Sequence, residues 1–159
     1  MKKLCLPLIL AVLCLPAPGQ TRSSEVNESA VRKTLAAFIQ AFDNLDWNRF
    51  RSAFADDATV FYPRSFPSRA NGRAEFERTF QLVFDQIRAG RKQGPYMDLQ
   101  PRDLRIQIAE DVAVVTFHLD DKPGFINRRT VVLRKVRTDW KIIHLHASEV
   151  QSAVPQPAP

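Results

Sequence analysis

The chain has 159 residues, a length that suits one domain. Its 23 basic and 17 acidic side chains give a net charge of +6, a modest excess scattered along the sequence. The densest basic runs, residues 88–92 (RAGRK) and 126–129 (INRR), have no interleaved aromatic residues, so no nucleic-acid partner is predicted. The sequence has no GxSxG, phosphate-binding loop, GxGxxG or HExxH motif, so the enzyme classes they mark are not indicated, and no cofactor or metal is predicted.

The first 19 residues have the pattern of a signal peptide. Lys2 and Lys3 precede an apolar run from Leu4 to Leu15, and Ala17 and Gly19 supply the small residues of a cleavage site. The run is shorter than the roughly 20 residues that span a bilayer. We therefore expect cleavage before Gln20, a secreted or periplasmic location, and no stable membrane insertion afterwards.

Both cysteines lie in this segment. Lipidation of Cys14 is the alternative to simple cleavage, but the preceding Leu13 is larger than a lipidation signal requires. Removal of the signal peptide, with Cys5 and Cys14, leaves no disulfide, thiol nucleophile or thiolate metal site. The net charge then falls to +4, with 21 basic and 17 acidic side chains.

We predict a flexible segment at 20–26, one domain at 27–150, and a disordered Pro/Ala-rich tail at 151–159. In the first half of the domain, apolar residues recur at helical spacing. The predicted helices run from Asn27 to Asn44, from the N-cap Asp46 with Trp47, Phe50 and Phe54 on one side, and from Gly72 to Gly90. A strand at 58–62 separates the second and third helices.

After Pro101 the spacing of apolar residues changes from about 3.6 residues, the period of a helix, to about two residues, the period of a strand. The predicted strands start at Leu104 and cover 104–108, 112–118, 127–136 and 140–150, with turns between them. Helices followed by an antiparallel meander indicate an α+β fold, in which a curved antiparallel sheet packs on three helices from the N-terminal half. Such a sheet forms a half-closed cone with a pocket at its mouth.

Four segments resemble a known superfamily. They are AFADDATVFYP (53–63), the pair Gly72-Arg73 that opens a helix, RRTVVLRK (128–135) and WKIIHLHASEV (140–150). Over residues 28–150 the chain resembles the nuclear-transport-factor-2-like (NTF2-like) superfamily, and especially SnoaL-like proteins and the calmodulin-dependent kinase association domain. The resemblance implies a cone fold, a pocket and frequent dimers, with functions from isomerases and cyclases to binding or assembly modules.

Ketosteroid isomerases of this superfamily offer a specific comparison. The resemblance places their general-base aspartate at Tyr62, their phenolic donor near Phe38, and their oxyanion-side carboxylate within 126–136. A phenol is a poor base at neutral pH, phenylalanine has no hydroxyl, and 126–136 contains no acidic residue. Isomerase chemistry of that type is therefore not predicted.

Three residues are predicted to contact a ligand in the pocket. His118 ends a strand near the expected mouth, where the resemblance places an arginine of the kinase association domain. Tyr62 offers a phenol to the same cavity. Of Arg128 and Arg129 only one can point inward, and we predict that Arg129 binds the ligand.

The last strand carries the predicted dimer interface. Strict alternation places Trp140, Ile142, His144 and His146 on one face, which is too apolar to be freely solvated. We predict that a second copy covers it. The two histidines could also chelate a metal ion, but the sequence offers no clear third ligand, and no metal site is predicted.

The sequence thus predicts an exported homodimer that binds a small, partly apolar molecule, either anionic or neutral, with no assignable catalysis. One alternative is a pocket enzyme, an isomerase, lyase or hydratase, that uses Tyr62 and His118 as an acid–base pair. The other is an assembly module whose pocket is filled by its own phenylalanines.

Overall fold

The structure is a computed structural model that describes residues 18–63, 68–90, 93–119 and 124–151. Side chains are described from Ser24 onward. The predicted signal peptide therefore lies almost entirely outside the described residues, as do the tail from Ser152 and the predicted turn at residues 120–123. Within the described part, no helix is both long and apolar enough to cross a membrane.

Three helices occupy the N-terminal half, as predicted. They are α1 (Pro18–Asp43), α2 (Trp47–Ser52) and α3 (Arg73–Gly90). Helix α1 includes residues 20–26, expected to be flexible, because that stretch contains no proline or glycine to end it.

The predicted N-cap of α2 is confirmed. The Asp46 side chain accepts a hydrogen bond from the backbone N–H of Arg49 at 3.1 Å, which satisfies one of the free donors of the first turn. Phe54, expected on one side of α2, instead begins the following strand. Helix α3 ends at Gly90 as the sequence indicates.

The sheet has six strands in the order β2-β1-β6-β5-β4-β3. Their bounds are β1 (Phe54–Phe61), β2 (Ala70–Asn71), β3 (Arg102–Ala109), β4 (Val112–Leu119), β5 (Phe125–Val136) and β6 (Asp139–Gln151). The α+β class with a curved, unclosed sheet is confirmed. The short strand β2 was not predicted, and β1 pairs with β6 in parallel, whereas the other pairs are antiparallel.

A cluster of aromatic rings packs between the helices and the sheet. Phe50 of α2 is fully buried at the centre of this core. The described residues include six rings whose centroids lie 4.6–6.1 Å from that of Phe50, which belong to Phe38, Phe42, Trp47, Phe54, Phe80 and Phe84. Aromatic packing at such distances stabilises the domain without any disulfide.

A β-bulge in β6 reverses the predicted alternation. Ile142 and His144 pair with the consecutive residues Leu133 and Val132 of β5, so Ile143 is the extra residue. Before the bulge Trp140 and Ile142 point into the core, with 3% and 0% exposure; after it Leu145 and Ala147 do. The prediction that Trp140 and Ile142 lie on a dimer face is therefore wrong.

Candidate functional site

A cavity of about 310 Å³ lies between the inner face of the sheet and the helices. Its walls are mostly apolar, with aromatic side chains from α1, α2, α3 and β4. The lining residues are Phe38, Ile39, Phe42, Phe50, Val60, Phe61, Tyr62, Pro63, Phe80, Val83, Gln86, Ile87, Met97, Leu99, Phe117, Leu119, Asn127, Arg129, Leu145, Ala147 and Glu149. A cavity of this size and composition can hold a small organic molecule.

Three polar residues from β5 and β6 line the cavity on the sheet side. Asn127 and Glu149 are direct partners across the two strands, and Arg129 lies two residues along β5, opposite Ala147. Residues two apart on a strand point to the same face, so Asn127 and Arg129 share the inner face. Asn127 is only 2% exposed, and the Arg129 guanidinium donates to the Arg128 carbonyl at 3.0 Å.

These three residues combine an amide, a cation and a carboxylate. An arginine fork recognises carboxylate or carbonyl oxygens, an amide both donates and accepts, and a carboxylate accepts from hydroxyl or N–H groups. Arg129 lines the cavity, whereas Arg128 is exposed on the other face, and contact of Arg129 with a ligand stays a prediction.

Tyr62 follows β1 and also lines the cavity. Its hydroxyl donates to the Phe76 carbonyl at 3.5 Å. Burial raises the pKa of Tyr62 to about 12; the hydrogen bond with Thr79 opposes this rise, and the charge of Glu75 adds to it. The phenol therefore stays protonated at neutral pH, where it can donate a hydrogen bond but cannot act as a base.

His118 does not reach the cavity. In β4 the residues Ala113, Val115, Phe117 and Leu119 point inward and are buried, so His118 points to the outer face. Its side chain is 42% exposed and its Nδ1 lies 3.1 Å from Asp103 Oδ2. The predicted ligand contact and the acid–base pair of Tyr62 with His118 are therefore wrong.

His144 and His146 do lie on the outer face of the sheet, next to β1. His144 Nδ1 is 2.7 Å from the Thr59 hydroxyl, and both imidazole rings contact the ring of Phe61. Burial lowers the pKa of His144, and the charges of His146 and Arg69 lower it further. No group of three or more His, Cys, Asp or Glu side chains arranged to hold a metal ion occurs among the described residues.

Sequence reasoning missed Asn127, Glu149 and Gln86 as cavity residues. Asn127 could have been found, because it precedes Arg129 by two positions and therefore lies on the same face of the strand. Glu149 could also have been found, because it continues the inward alternation of Leu145 and Ala147, which lies beyond the bulge. Gln86 lies on α3 between the lining residues Val83 and Ile87.

A cone-shaped sheet with helices over its inner face and a cavity between them defines the NTF2-like class of proteins. A protein from Streptomyces avermitilis, provisionally named a dehydratase of the NTF2-like family, has a similar structure, with a TM-score of 0.67 and 22% identity over 81% of this chain and 99% of that one. An NTF2-like protein of unknown function from Pseudomonas putida gives a TM-score of 0.65 and 22% identity over 78% and 87%.

A third similar structure, from Parabacteroides distasonis, is provisionally named a ketosteroid isomerase. Its TM-score is 0.57, with 22% identity over 73% of this chain and 84% of that one. The SnoaL-like domain family matches residues 31–152, well over half of the sequence. The chain therefore belongs to the SnoaL-like family. No curated protein is significantly similar to it.

Proposed function

We propose that this domain binds a small, partly apolar molecule in its cavity and holds a carboxylate or carbonyl group of that molecule at Arg129. The observation that carries the proposal is the position of Arg129 and Asn127 on the wall of a mainly aromatic cavity. The apolar wall favours a ring or short chain, and the polar residues fix its orientation. A cavity of about 310 Å³ also argues against a pocket filled by its own phenylalanines.

Glu149 refines the expected ligand. Because this carboxylate lines the same side of the cavity as Arg129, the site is not uniformly positive. A simple anion would be repelled by Glu149, whereas a molecule with a hydroxyl next to its carboxylate or carbonyl can form hydrogen bonds with both side chains. A hydroxy acid or hydroxy ketone with an apolar body fits this combination best.

The predicted acid–base pair of Tyr62 and His118 does not support catalysis in the cavity. A general base and a general acid must both lie within about 2.6–3.2 Å of the substrate atoms that they serve. Tyr62 stays protonated, and His118 lies on the other face of the sheet. Similar structures named a dehydratase and an isomerase are 22% identical to this chain, which supports a common fold rather than a common reaction.

The same proposal includes export and self-association. The pattern of residues 1–19 supports export to the periplasm or medium. The outer face of the sheet supports a homodimer, since it presents the half-buried Val114 and Val132 with His144 and His146. A second copy packed on this face would bury apolar area that a monomer leaves in water.

Anilinonaphthalene sulfonate, a fluorescent aromatic anion, provides a direct test of the cavity. Its titration into the wild-type protein should give saturable binding, and Arg129→Met should weaken the binding about tenfold or more, as expected for loss of a charged hydrogen bond. Arg128→Met is the matched control, since it removes the neighbouring cation from the opposite face. Equal affinities for the two variants would contradict the assignment of Arg129.

A further inference from the structure

One wall of the cavity belongs to neither a helix nor a strand. Residues 93–101, here called the strap, connect the region after α3 to β3 without regular secondary structure. Met97 and Leu99 of the strap line the cavity, and Tyr96 and Leu99 also pack against the core. The strap therefore closes part of the ligand site with side chains that no strand ladder holds.

Among the bonds described for residues 93–101, two join the strap to α1, and both end on Asp43. The Leu99 N–H donates to the Asp43 carboxylate at 2.9 Å, and the Tyr96 N–H donates to the Asp43 backbone carbonyl at 2.7 Å. Asp43 is the last residue of α1 and directly follows Phe42, which lines the cavity. The side chain of one residue thus fixes the position of Leu99 relative to the cavity.

The opposite wall is much more firmly connected. Strands β5 and β6 pair along almost their whole length, from Phe125 with Gln151 to Val136 with Asp139. Opening that wall would break a continuous ladder, whereas release of Leu99 breaks its hydrogen bond to Asp43 and its side-chain packing against the core. Segments with few backbone bonds open at a lower free-energy cost than sheet ladders do.

We propose that the strap is the movable wall through which a ligand reaches the cavity, and that Asp43 is the positioning residue that holds this wall closed. The role of the strap in ligand exchange rests on the proposed binding function, whereas its attachment at Asp43 does not. Because Met97 and Leu99 set the width of the cavity there, the closed strap also limits the size of the ligand.

Three variants test the attachment. Asp43→Ala removes the acceptor for Leu99, Asp43→Asn keeps an acceptor oxygen, and Asp98→Asn changes an exposed strap carboxylate with no described bond to α1. Asparagine is chosen at position 98 because the φ of 53° there suits it. In Asp43→Ala, amide hydrogen exchange at Leu99 should accelerate at least about tenfold, while exchange at Tyr96 changes little. In Asp43→Asn and Asp98→Asn, amide exchange at Leu99 should stay close to the wild-type rate.

The effect of the strap on ligand exchange is measured separately, from the dissociation rate of a bound dye. The dissociation rate of anilinonaphthalene sulfonate should rise about tenfold in Asp43→Ala and return near the wild-type rate in Asp43→Asn. An unchanged rate in Asp43→Ala would overturn the gating role. Failure of the dye to bind wild-type protein would instead count against the proposed function, and unchanged exchange at Leu99 would count against the attachment.

The wild-type protein supplies a check that does not depend on folding of the variants. Dye bound behind a movable strap should slow amide exchange at Leu99, because the bound molecule packs against Met97 and Leu99 and stabilises the closed wall. Exchange at Leu99 that is the same with and without saturating dye would overturn the proposal that this wall opens for the ligand.

Discussion

The Thr59 hydroxyl lies 2.7 Å from Nδ1 of His144, and this contact joins β1 to β6 on the outer face of the sheet. Burial lowers the pKa of His144, with smaller contributions in the same direction from His146 and Arg69. The folded protein therefore binds a proton at His144 less readily than the unfolded chain does.

This relationship predicts a pH dependence of stability. The pKa of His144 in the folded protein lies below the ordinary value of 6.5. The contribution of His144 to the free energy of unfolding is therefore fully present above pH 6.5, and it is lost as the pH falls through the pKa of the folded state. The free energy of unfolding in urea should fall as the pH is lowered below 6.5, and His144→Gln should reduce that fall. An NMR titration midpoint for His144 at or above 6.5 would contradict the assignment.

The proposed dimer can be tested at Val132. This residue lies on the outer face, paired with Val114 on β4 and His144 on β6. Val132→Asp should convert a dimer to a monomer by light scattering at micromolar concentration, because a buried unpaired charge costs several kcal/mol. Leu82→Asp is the control, since Leu82 is 55% exposed on α3, and it should remain dimeric. A monomeric wild-type protein would rule the dimer out.

The central phenylalanine of the core should dominate stability. Phe50 is fully buried among six aromatic rings, so Phe50→Ala should lower the free energy of unfolding by about 3–5 kcal/mol. Phe61→Ala removes a ring that is 39% exposed, so it should lower the free energy of unfolding clearly less than Phe50→Ala does. Urea unfolding of both variants by circular dichroism measures the difference. Similar losses would mean that Phe50 does not organise the core.

Export predicts a defined N-terminus. Protein recovered from the periplasm or medium should begin at or near Gln20, as determined by N-terminal sequencing or intact mass. Such cleavage removes both Cys5 and Cys14, so a thiol reagent should not modify the exported protein. Recovery of chains that retain Met1, or that carry a lipid on Cys14, would contradict the prediction.

The sequence predicted the helices and most strands because their apolar periods are regular. Phe76, Phe80 and Phe84 lie on one face of α3 as their spacing requires, and all three are buried. Asp46 caps α2 because its side chain meets a free N–H three residues on, a purely local geometry. Local chemistry of this kind can be read from the sequence without knowledge of tertiary contacts.

The errors have two different causes. Trp140 and Ile142 were placed on the wrong face because one extra residue, Ile143, reverses the alternation, and a bulge arises from pairing with β5 rather than from β6 alone. The position of His118 could have been predicted from β4 alone. Val115, Phe117 and Leu119 alternate with it and are buried on the inner face, so His118 must lie on the outer face. The inner face of β4 can thus be read from its own apolar alternation, whereas the orientation of the residues before the bulge in β6 depends on pairing with β5.

Amide chemical-shift mapping of the isotope-labelled protein during titration with anilinonaphthalene sulfonate tests the central claim most directly. The account predicts saturable shift changes at cavity residues, including Phe117, Asn127 and Arg129, and little change at the outer-face residues Thr116 and Arg128. Changes confined to the outer face, or spread evenly over the sheet without saturation, would contradict the claim that the cavity is the binding site.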